Sequence, residues 1–330
     1  MDTRPGYVPW EVAWHEALYG PGGFYRRAEG PAGHFATSAQ GLPHGTALLA
    51  GAVVALARRH RLTHVVDVGA GRGELATAVA ELLPALRVTA VDVVERPPGV
   101  APSVGWVRSR GGAALPGSLT GLTGALVLAH EWLDVVPCTV VAREDRVWRV
   151  LTVDPATGQE SPGGPPTPDE AAWLDRWMAP SAQRAEVGLA RDLAWADLVS
   201  RVDDGLVVAV DYGHTLADRP AEGTLTAYRQ GAQVAPVPDG SCDLTAHVAV
   251  DALAAATPGG HGGAVEVLRQ RAVLDDLLGP LGAVPHVLAR TEPTAYLRLL
   301  AEQATRRALG DPGGLGDFWW VLARRGVALP

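Results

Sequence analysis

The segment DVGAGRG (67–73) has the residue types and spacing of a ligand-binding turn. It follows an apolar segment typical of a buried strand and precedes a helical pattern. Because glycine has no side chain, such a turn folds tightly and lets the backbone approach a ligand closely. A dinucleotide site would need glycine at position 74, where this chain has Glu74, whose charge would face the pyrophosphate. The residues predicted to bind a small molecule here are Asp67, Gly69, Gly71 and Gly73.

An acid at the end of the following strand would complete such a site by binding ribose hydroxyls. Asp92 ends the apolar segment VTAVDVV and lies 21 residues beyond Gly71. A carboxylate suits this role because it accepts hydrogen bonds from both hydroxyls of a diol. Glu95 is the competing candidate, although it falls beyond the strand. An acid in this place can also serve only as a helix cap.

A second group of polar side chains follows other apolar strands. Glu131 and Asp134 come just after the segment VLA, three residues apart, so a helical turn would present both on one side. Asp211 and Tyr212 end a further apolar segment. Because ligands bind at the carboxyl ends of the strands in open α/β sheets, we predict that these four residues meet at one site. The alternatives are a helix-capping acid pair, a turn acid and a packed aromatic side chain.

The elements that would position these residues alternate between strand and helix from residue 45 onward. Apolar segments typical of buried strands are separated by helical patterns, which predicts an α/β fold with a doubly wound, mainly parallel sheet. A hairpin around Glu144 and Asp145 interrupts the alternation, and a strand leading into a helix is expected over 265–279. Further helices are predicted over 9–19, 168–178, 181–200, 243–256 and 291–309.

Composition excludes several classes of function. The net charge of −8 argues against a nucleic-acid binder, which would carry a basic face. The chain has no Lys and no Asn, so all 28 basic residues are Arg, and a lysine Schiff base or lysine general base is excluded. Cys138 and Cys242 stand far apart, without paired metal-ligand spacing. We expect a reduced, cytoplasmic setting, no metal, no membrane span and no signal segment, and leave the oligomeric state open.

Several segments together resemble one known family. The pattern of residues 67–75 is similar to the glycine turn of Rossmann-like S-adenosylmethionine (SAM) methyltransferases. AHEWLDVVP (129–137) resembles the A-N-E-F-x-D-A-L-P segment of the MidA-like family of these enzymes. The chain is identified as similar to that family over nearly its whole length. The other segments that carry the resemblance are GHFATS (33–38), VDYG (210–213), GTLTAYRQ (223–230) and PDGSCDLTAHVAVDAL (238–253).

The resemblance implies a class I methyltransferase with SAM as cofactor. The glycine turn would then face the amino-acid part of SAM, and the Asp67 carboxylate would bind its ammonium group. Mitochondrial members methylate an arginine on a subunit of respiratory complex I, which implies a protein arginine N-methyltransferase acting on such a subunit or another protein partner. A small-molecule acceptor and a non-catalytic SAM-binding assembly factor remain alternatives. An NAD-dependent oxidoreductase is disfavoured by Glu74. The implied divisions are a cap or lid (1–44), the first part of the SAM-binding core (45–137), an inserted hairpin and helical subdomain (138–200), and the remaining core and acceptor-side elements (201–330).

An arginine acceptor would require acids, because the guanidinium is cationic and a weak nucleophile. Glu131, Asp134, Asp211 and Tyr212 form the implied catalytic set, and Glu131 is also assigned to cofactor binding. Glu186, in RAEV, is similar to a family Glu that could reach the acceptor. His130 replaces the family's Asn, and Ala249 stands where an Asp is usual. The residues expected to form a lid are Gly33, His34 (an Asp in the family), Phe35, Thr37 and Ser38.

Overall fold

A computed structural model describes residues 6–27, 42–259 and 265–326. The strands of these residues are β1 (Val8–Pro9), β2 (His64–Val68), β3 (Arg87–Asp92), β4 (Val104–Arg108), β5 (Leu122–His130), β6 (Val140–Glu144), β7 (Val147–Val153), β8 (Glu160–Pro162), β9 (Arg184–Glu186), β10 (Val202–Asp211), β11 (Gly213–His214), β12 (Thr226–Arg229), β13 (Ala232–Val234), β14 (Asp243–Thr245), β15 (Val248–Ala249), β16 (Val265–Arg269) and β17 (Trp319–Arg325). The helices are α1 (Trp10–Tyr19), α2 (Gly45–Arg59), α3 (Glu74–Leu82), α4 (Pro168–Trp177), α5 (Leu189–Ser200), α6 (Val250–Ala255), α7 (Gln270–Leu278), α8 (Leu288–Thr291) and α9 (Pro293–Leu309).

The centre of the molecule is a seven-stranded sheet in the order β16-β17-β10-β5-β2-β3-β4. The five strands from β10 to β4 run parallel, and β17 runs antiparallel to both of its neighbours. Every residue of β2 is buried, as expected for a parallel strand covered on both faces. The predicted doubly wound, mainly parallel sheet is therefore confirmed.

Apolar residues that alternate along the strands supply the two cores of this sheet. Val65 faces a core shared with α2, α3, α7 and α9. Its neighbour Val66 faces the opposite core, which contains Trp195 and Leu198 of α5 and Leu253 of α6. This alternation follows from the twofold repeat of side-chain direction along a strand, so each strand contributes to both layers.

Three smaller sheets of the described residues lie outside the central one. In the first, β7 pairs with β1, β6 and β8, while β6 also pairs with β9; in the second, β12 pairs with β13 and β14; in the third, β11 pairs with β15. The predicted hairpin is present as β6 and β7. Two predicted helices are wrong in part. The helix predicted over 181–200 begins only at Leu189, because Arg184–Glu186 pairs with β6, and much of 243–256 forms β14 and β15.

Helix α1 packs against two of these smaller sheets, where it contacts β1, β7 and β14. Its predicted apolar face is confirmed, since Trp10, Trp14 and Leu18 are fully buried. The Trp14 indole N–H donates to the carbonyl of Leu244, at 3.0 Å. This bond fixes the helix beside β14.

Among the described residues, the structure contains no helix of the length and apolarity required to cross a membrane.

Candidate active site

The glycine turn joins β2 to α3 with three glycines in the left-handed backbone region. Gly69, Gly71 and Gly73 have φ values of 74°, 58° and 78°. A side chain at Gly73 would also be crowded, because an added Cβ would lie 2.9 Å from a methyl of Val100. Glycine is thus required here by the backbone, and the turn leaves main-chain atoms open toward a ligand.

Asp67 lies in β2 at the start of this turn and is 3% exposed. Its Oδ2 atom is buried and has no hydrogen-bond partner among the residues that the structure describes. Burial, with smaller contributions from the charges of Asp92 and Glu74, raises the pKa of Asp67 to about 7. A buried carboxylate oxygen without a partner is costly, so this position fits a cationic group of a ligand.

Asp92 ends the neighbouring strand β3 and holds the turn from the side. Its Oδ2 accepts the Gly71 N–H at 2.8 Å, and its Oδ1 accepts the Val94 N–H at 3.2 Å. Burial raises its pKa to about 6, against the lowering effect of these backbone donors. Each oxygen retains a second lone pair, so the carboxylate can still accept ligand hydroxyls.

A cavity of about 780 Å³ opens beside these residues. Its volume lies in the range of small-molecule sites. It extends from the glycine turn to the turn that follows β5 and to the N-terminal segment, residues 6–27. The polar and aromatic residues that line it include Tyr19, Tyr25, Asp67, Glu74, Asp92, Glu95, His130, Glu131, Trp132, Asp134 and Asp243, together with five arginines, Arg26, Arg27, Arg72, Arg96 and Arg108.

Glu131 and Trp132 lie in the cavity wall at the end of β5. Glu131 has a φ of 50°, a strained value for a residue with a side chain, and its N–H donates to the Val210 carbonyl at 2.8 Å. The Trp132 indole packs against Gly69 and donates to the carbonyl of Gly112 at 3.2 Å. The strained backbone aims residue 131 into the cavity while Trp132 ties this turn to the glycine turn.

Asp134 lines the same cavity and is 5% exposed. Its Oδ2 accepts from the Tyr212 hydroxyl at 2.6 Å and from the Thr245 hydroxyl at 2.7 Å. Its Oδ1 is buried without a partner in the described parts of the chain. Burial raises its pKa, and the charge of Glu131 adds to the effect. Asp134 therefore has one oxygen committed to the protein and one buried oxygen without a partner in the described residues.

Asp211 and Tyr212 lie behind this wall. The Asp211 carboxylate accepts three backbone N–H groups, from Leu133 and Asp134 at 3.1 Å each and from Tyr212 at 3.0 Å. Burial raises its pKa well above the ordinary value, and the charges of Asp134 and Glu131 act in the same direction. The structure thus brings the four predicted residues together, but Asp211 and Tyr212 shape the turn and do not line the cavity.

The other predicted residues have different surroundings. His130 lines the cavity, and burial lowers its pKa to about 4. Its Nδ1 lies 3.7 Å from Oε1 of Glu131, and because the ring is neutral this contact is not an ion pair. Glu186 does not reach the acceptor side as predicted, because its carboxylate accepts from the backbone of Thr224 and Leu225 and does not line the cavity. The predicted lid lies outside the described residues: Gly33, His34, Phe35, Thr37 and Ser38.

The sequence patterns did not predict Asp243 and Tyr25, which line the cavity, or Arg191, which lies behind its wall. Asp243, on β14, lines the cavity and accepts from the Tyr25 hydroxyl at 2.7 Å. Arg191 is fully buried and donates to the carbonyls of Asp134, Val136, Ala246 and His247, at 2.7 to 3.2 Å. The available signal for Asp243 was its place in the segment 238–253, one of those that carry the family resemblance.

Comparison with known proteins identifies the family and the fold. The family Methyltransf_28, which comprises S-adenosyl-L-methionine-dependent methyltransferases, matches residues 101–267, just over half of the chain. No curated protein matches the sequence. A COG1565 superfamily member from Burkholderia thailandensis, solved bound to S-adenosyl-homocysteine, is 24% identical, with a TM-score of 0.76 over 98% of this chain and 89% of that chain. A native structure of a COG1565 superfamily protein from the same organism has the same values.

The structural likeness confirms the methyltransferase fold, and the family match confirms the MidA-like resemblance and the predicted cofactor. The chain belongs to the Methyltransf_28 family of S-adenosyl-L-methionine-dependent methyltransferases, and S-adenosyl-L-methionine is its cofactor.

Proposed function

We propose that this methyltransferase acts on the guanidinium group of an arginine in a protein partner. The observation that carries the proposal is the pair of carboxylates that lines the cavity after β5, with one buried oxygen of Asp134 left without a partner in the described residues. Glu131 is the second acid of the pair. A cationic ligand would stabilise the ionised form of both acids, whereas burial otherwise favours the protonated form of Asp134.

The cofactor end of the cavity is assigned to the glycine turn and its two acids. In this proposal the Asp67 carboxylate accepts from the ammonium group of SAM, and Asp92 accepts from the ribose hydroxyls. Their places at the ends of β2 and β3 in the cavity wall support these roles. The left-handed glycines keep side chains away from the cofactor, which lies against the turn.

When bound, SAM would supply an electrophilic methyl group: the acceptor nitrogen would bond to it, S-adenosylhomocysteine would leave with the C–S electron pair, and the proton of the nitrogen would pass to a cavity carboxylate or to solvent. The protein contributes alignment and charge, which supply much of the rate in such transfers. Asp134 Oδ2 is occupied by Tyr212 and Thr245, so Asp134 cannot hold a guanidinium with both oxygens. Glu131 supplies the second carboxylate for the two-point hold that a planar fork prefers.

The family resemblance favours a subunit of a respiratory complex or another protein in the cytoplasm, a setting that fits two buried, unpaired cysteines. The competing acceptor is a small molecule. The competing role is that of an assembly factor that binds SAM without transfer.

The test is methylation of host lysate by the purified protein with labelled SAM, using Glu131→Gln, Asp134→Asn and the exposed Glu81→Gln as control. We expect label in protein arginine. Asp134→Asn and Glu131→Gln should each lower transfer by about 100-fold, since they remove a charge that acts on the acceptor. SAM affinity, measured by calorimetry, should stay nearly intact. A fall in SAM affinity with Glu131→Gln would assign that residue to the cofactor.

A helix-capping role predicts a different result, namely a loss of stability of about 1 kcal/mol with little change in rate. Normal transfer by both variants would rule out the guanidinium-binding pair. If the label appears only in small molecules, the acceptor is a small molecule and not a protein. SAM binding without any methyl transfer would favour the role of a non-catalytic assembly factor.

A further inference from the structure

The acceptor end of the cavity has a third carboxylate, which comes from a separate element. Asp243 begins β14, lines the cavity and is 3% exposed. Glu131 and Asp134, by contrast, lie in the turn that follows β5. The cavity therefore has acids from two independent parts of the fold, held together because Arg191 binds the carbonyls of both Asp134 and Ala246.

Two tyrosines of the N-terminal segment border this third acid. The Tyr25 hydroxyl donates to Asp243 Oδ1 at 2.7 Å, and the Tyr19 hydroxyl donates to the Val135 carbonyl at 3.0 Å. Their rings lie 5.5 Å apart, and both residues line the cavity. Aromatic faces next to a carboxylate are the surroundings that proteins use to bind organic cations.

Asp243 has no cationic side chain within ion-pair distance in the described parts of the chain. Asp243 accepts from the Tyr25 hydroxyl and from the Leu244 backbone, and both donors are neutral, so neither balances the charge of a buried acid. Burial raises the pKa of Asp243 well above its ordinary value, and the charges of Asp134 and Glu131 act in the same direction. The hydrogen bond from Tyr25 opposes that rise, so it favours the ionised form.

We infer that Asp243 is a third acceptor-binding residue, which holds the cationic group of the methyl acceptor from β14, and that Tyr25 positions its carboxylate. This inference rests on the proposed cationic acceptor. It assigns part of the acceptor site to the N-terminal segment, so the acceptor is held between this segment and the turn after β5. Tyr25 acts through Asp243 and needs no contact with the reacting atoms.

The test compares Asp243→Asn and Tyr25→Phe with two controls, the exposed Asp239→Asn and the surface variant Tyr296→Phe. SAM affinity is measured by calorimetry, and transfer is measured with labelled SAM on a dilution series of host lysate. We expect Asp243→Asn to lower transfer by about 100-fold and Tyr25→Phe by about 10-fold, with SAM affinity within twofold and normal controls. In Tyr25→Phe the acid limb of the pH–rate profile should move to higher pH, because the donor that favours ionised Asp243 is lost.

The outcomes separate this inference from the proposed function. Normal transfer by Asp243→Asn, with transfer lost in Glu131→Gln and Asp134→Asn, would leave the proposed function intact and reduce Asp243 to an anchor for the N-terminal segment. Asp243 would likewise be only an anchor if Asp243→Asn lowered SAM affinity and melting temperature together. The same conclusion would hold if Tyr25→Phe left the acid limb of the pH–rate profile in place. Normal transfer by all of the acid variants would overturn both.

Discussion

The carboxyl groups around the cavity differ in how many of their oxygens the protein itself uses. Asp211 gives its oxygens to three backbone N–H groups, whereas Asp134 gives one oxygen to two hydroxyls and keeps the other. Asp67 keeps one buried oxygen without a partner in the part of the chain that the structure describes. A carboxylate already satisfied by backbone donors stabilises a turn, while one with an unused oxygen is ready for a ligand. This difference separates residues that shape the site from those that can bind within it.

Asp92 combines both roles, and its replacement should show this. We expect Asp92→Ala to weaken SAM binding by about 1–3 kcal/mol, the scale of losing a charged hydrogen-bond partner. Since its carboxylate also accepts the N–H of Gly71, some of that loss should come from a looser glycine turn. Asp92→Asn keeps an oxygen for the turn and serves as the matched control, and calorimetry with thermal melting measures both effects. An unchanged affinity in Asp92→Ala would transfer the ribose role to Glu95.

At the scale of elements, the sequence predicts those helices, strands and turns that are determined by residues close together in the chain. The buried strand β2, the glycine turn and α3 follow one another in the sequence, so their apolar periodicity and glycines were enough to predict them. The strand β14 was predicted as helix, because its pairing partner β12 lies well away in the sequence. Asp243 was missed for the same reason, since only that pairing and the position of Tyr25 place it in the cavity. Arg191 likewise binds carbonyls about 55 residues away.

The glycine turn can be tested as an element. Gly71→Val should abolish SAM binding with a modest loss of stability, because a β-branched side chain opposes the φ of 58° and would enter the cofactor's space. Gly99→Ala is the control, since an added Cβ there meets no atom within 4 Å. Calorimetry measures the affinity and thermal melting the stability. Normal SAM binding by Gly71→Val would make the turn a structural connector only.

Arg191 connects the turn after β5 with the segment that follows β14. We expect Arg191→Met to destabilise the protein by roughly 3 kcal/mol, because it removes a donor from four carbonyls, of which only the Asp134 carbonyl keeps a backbone donor within the described residues, the Ala246 N–H. Arg201→Met is the matched control, since Arg201 binds only two carbonyls and is partly exposed. Denaturant unfolding compares the two. Equal, small losses would show that water replaces the Arg191 guanidinium.

At the scale of the whole molecule, buried titrating groups make folding depend on pH in two directions. Asp67 and Asp192 have pKa values raised by burial to about 7, so they keep protons that the unfolded chain releases near pH 4. Their contribution to stability is present at low pH and is lost as the pH rises toward 7. His64 and His214 have pKa values lowered by burial to about 4, so their contribution is lost as the pH falls below about 6.5. The two effects oppose each other across this window.

SAM binding should have a clearer pH dependence, since a cationic ligand favours the ionised carboxylates. The free protein holds protons on Asp67 up to a pKa of about 7 and on Asp92 up to about 6. Lowering the pH from 7.0 to 5.5 should therefore weaken SAM binding by about tenfold or more, because these protons must leave before the cation binds. At both pH values the ammonium group of SAM remains charged, so the change reports on the protein.

Calorimetry in two buffers of different ionisation enthalpy measures both the affinity for SAM and the number of protons released on binding. The rise in melting temperature caused by SAM should also be smaller at pH 5.5 than at pH 7.0. Adenosine, which has the ribose but no ammonium group, is the control ligand. It should show only the weaker dependence due to Asp92. Asp67→Asn should remove the part of the dependence centred near pH 7. Equal SAM affinities at pH 5.5 and 7.0 would show that the Asp67 carboxylate does not meet the cofactor's charge.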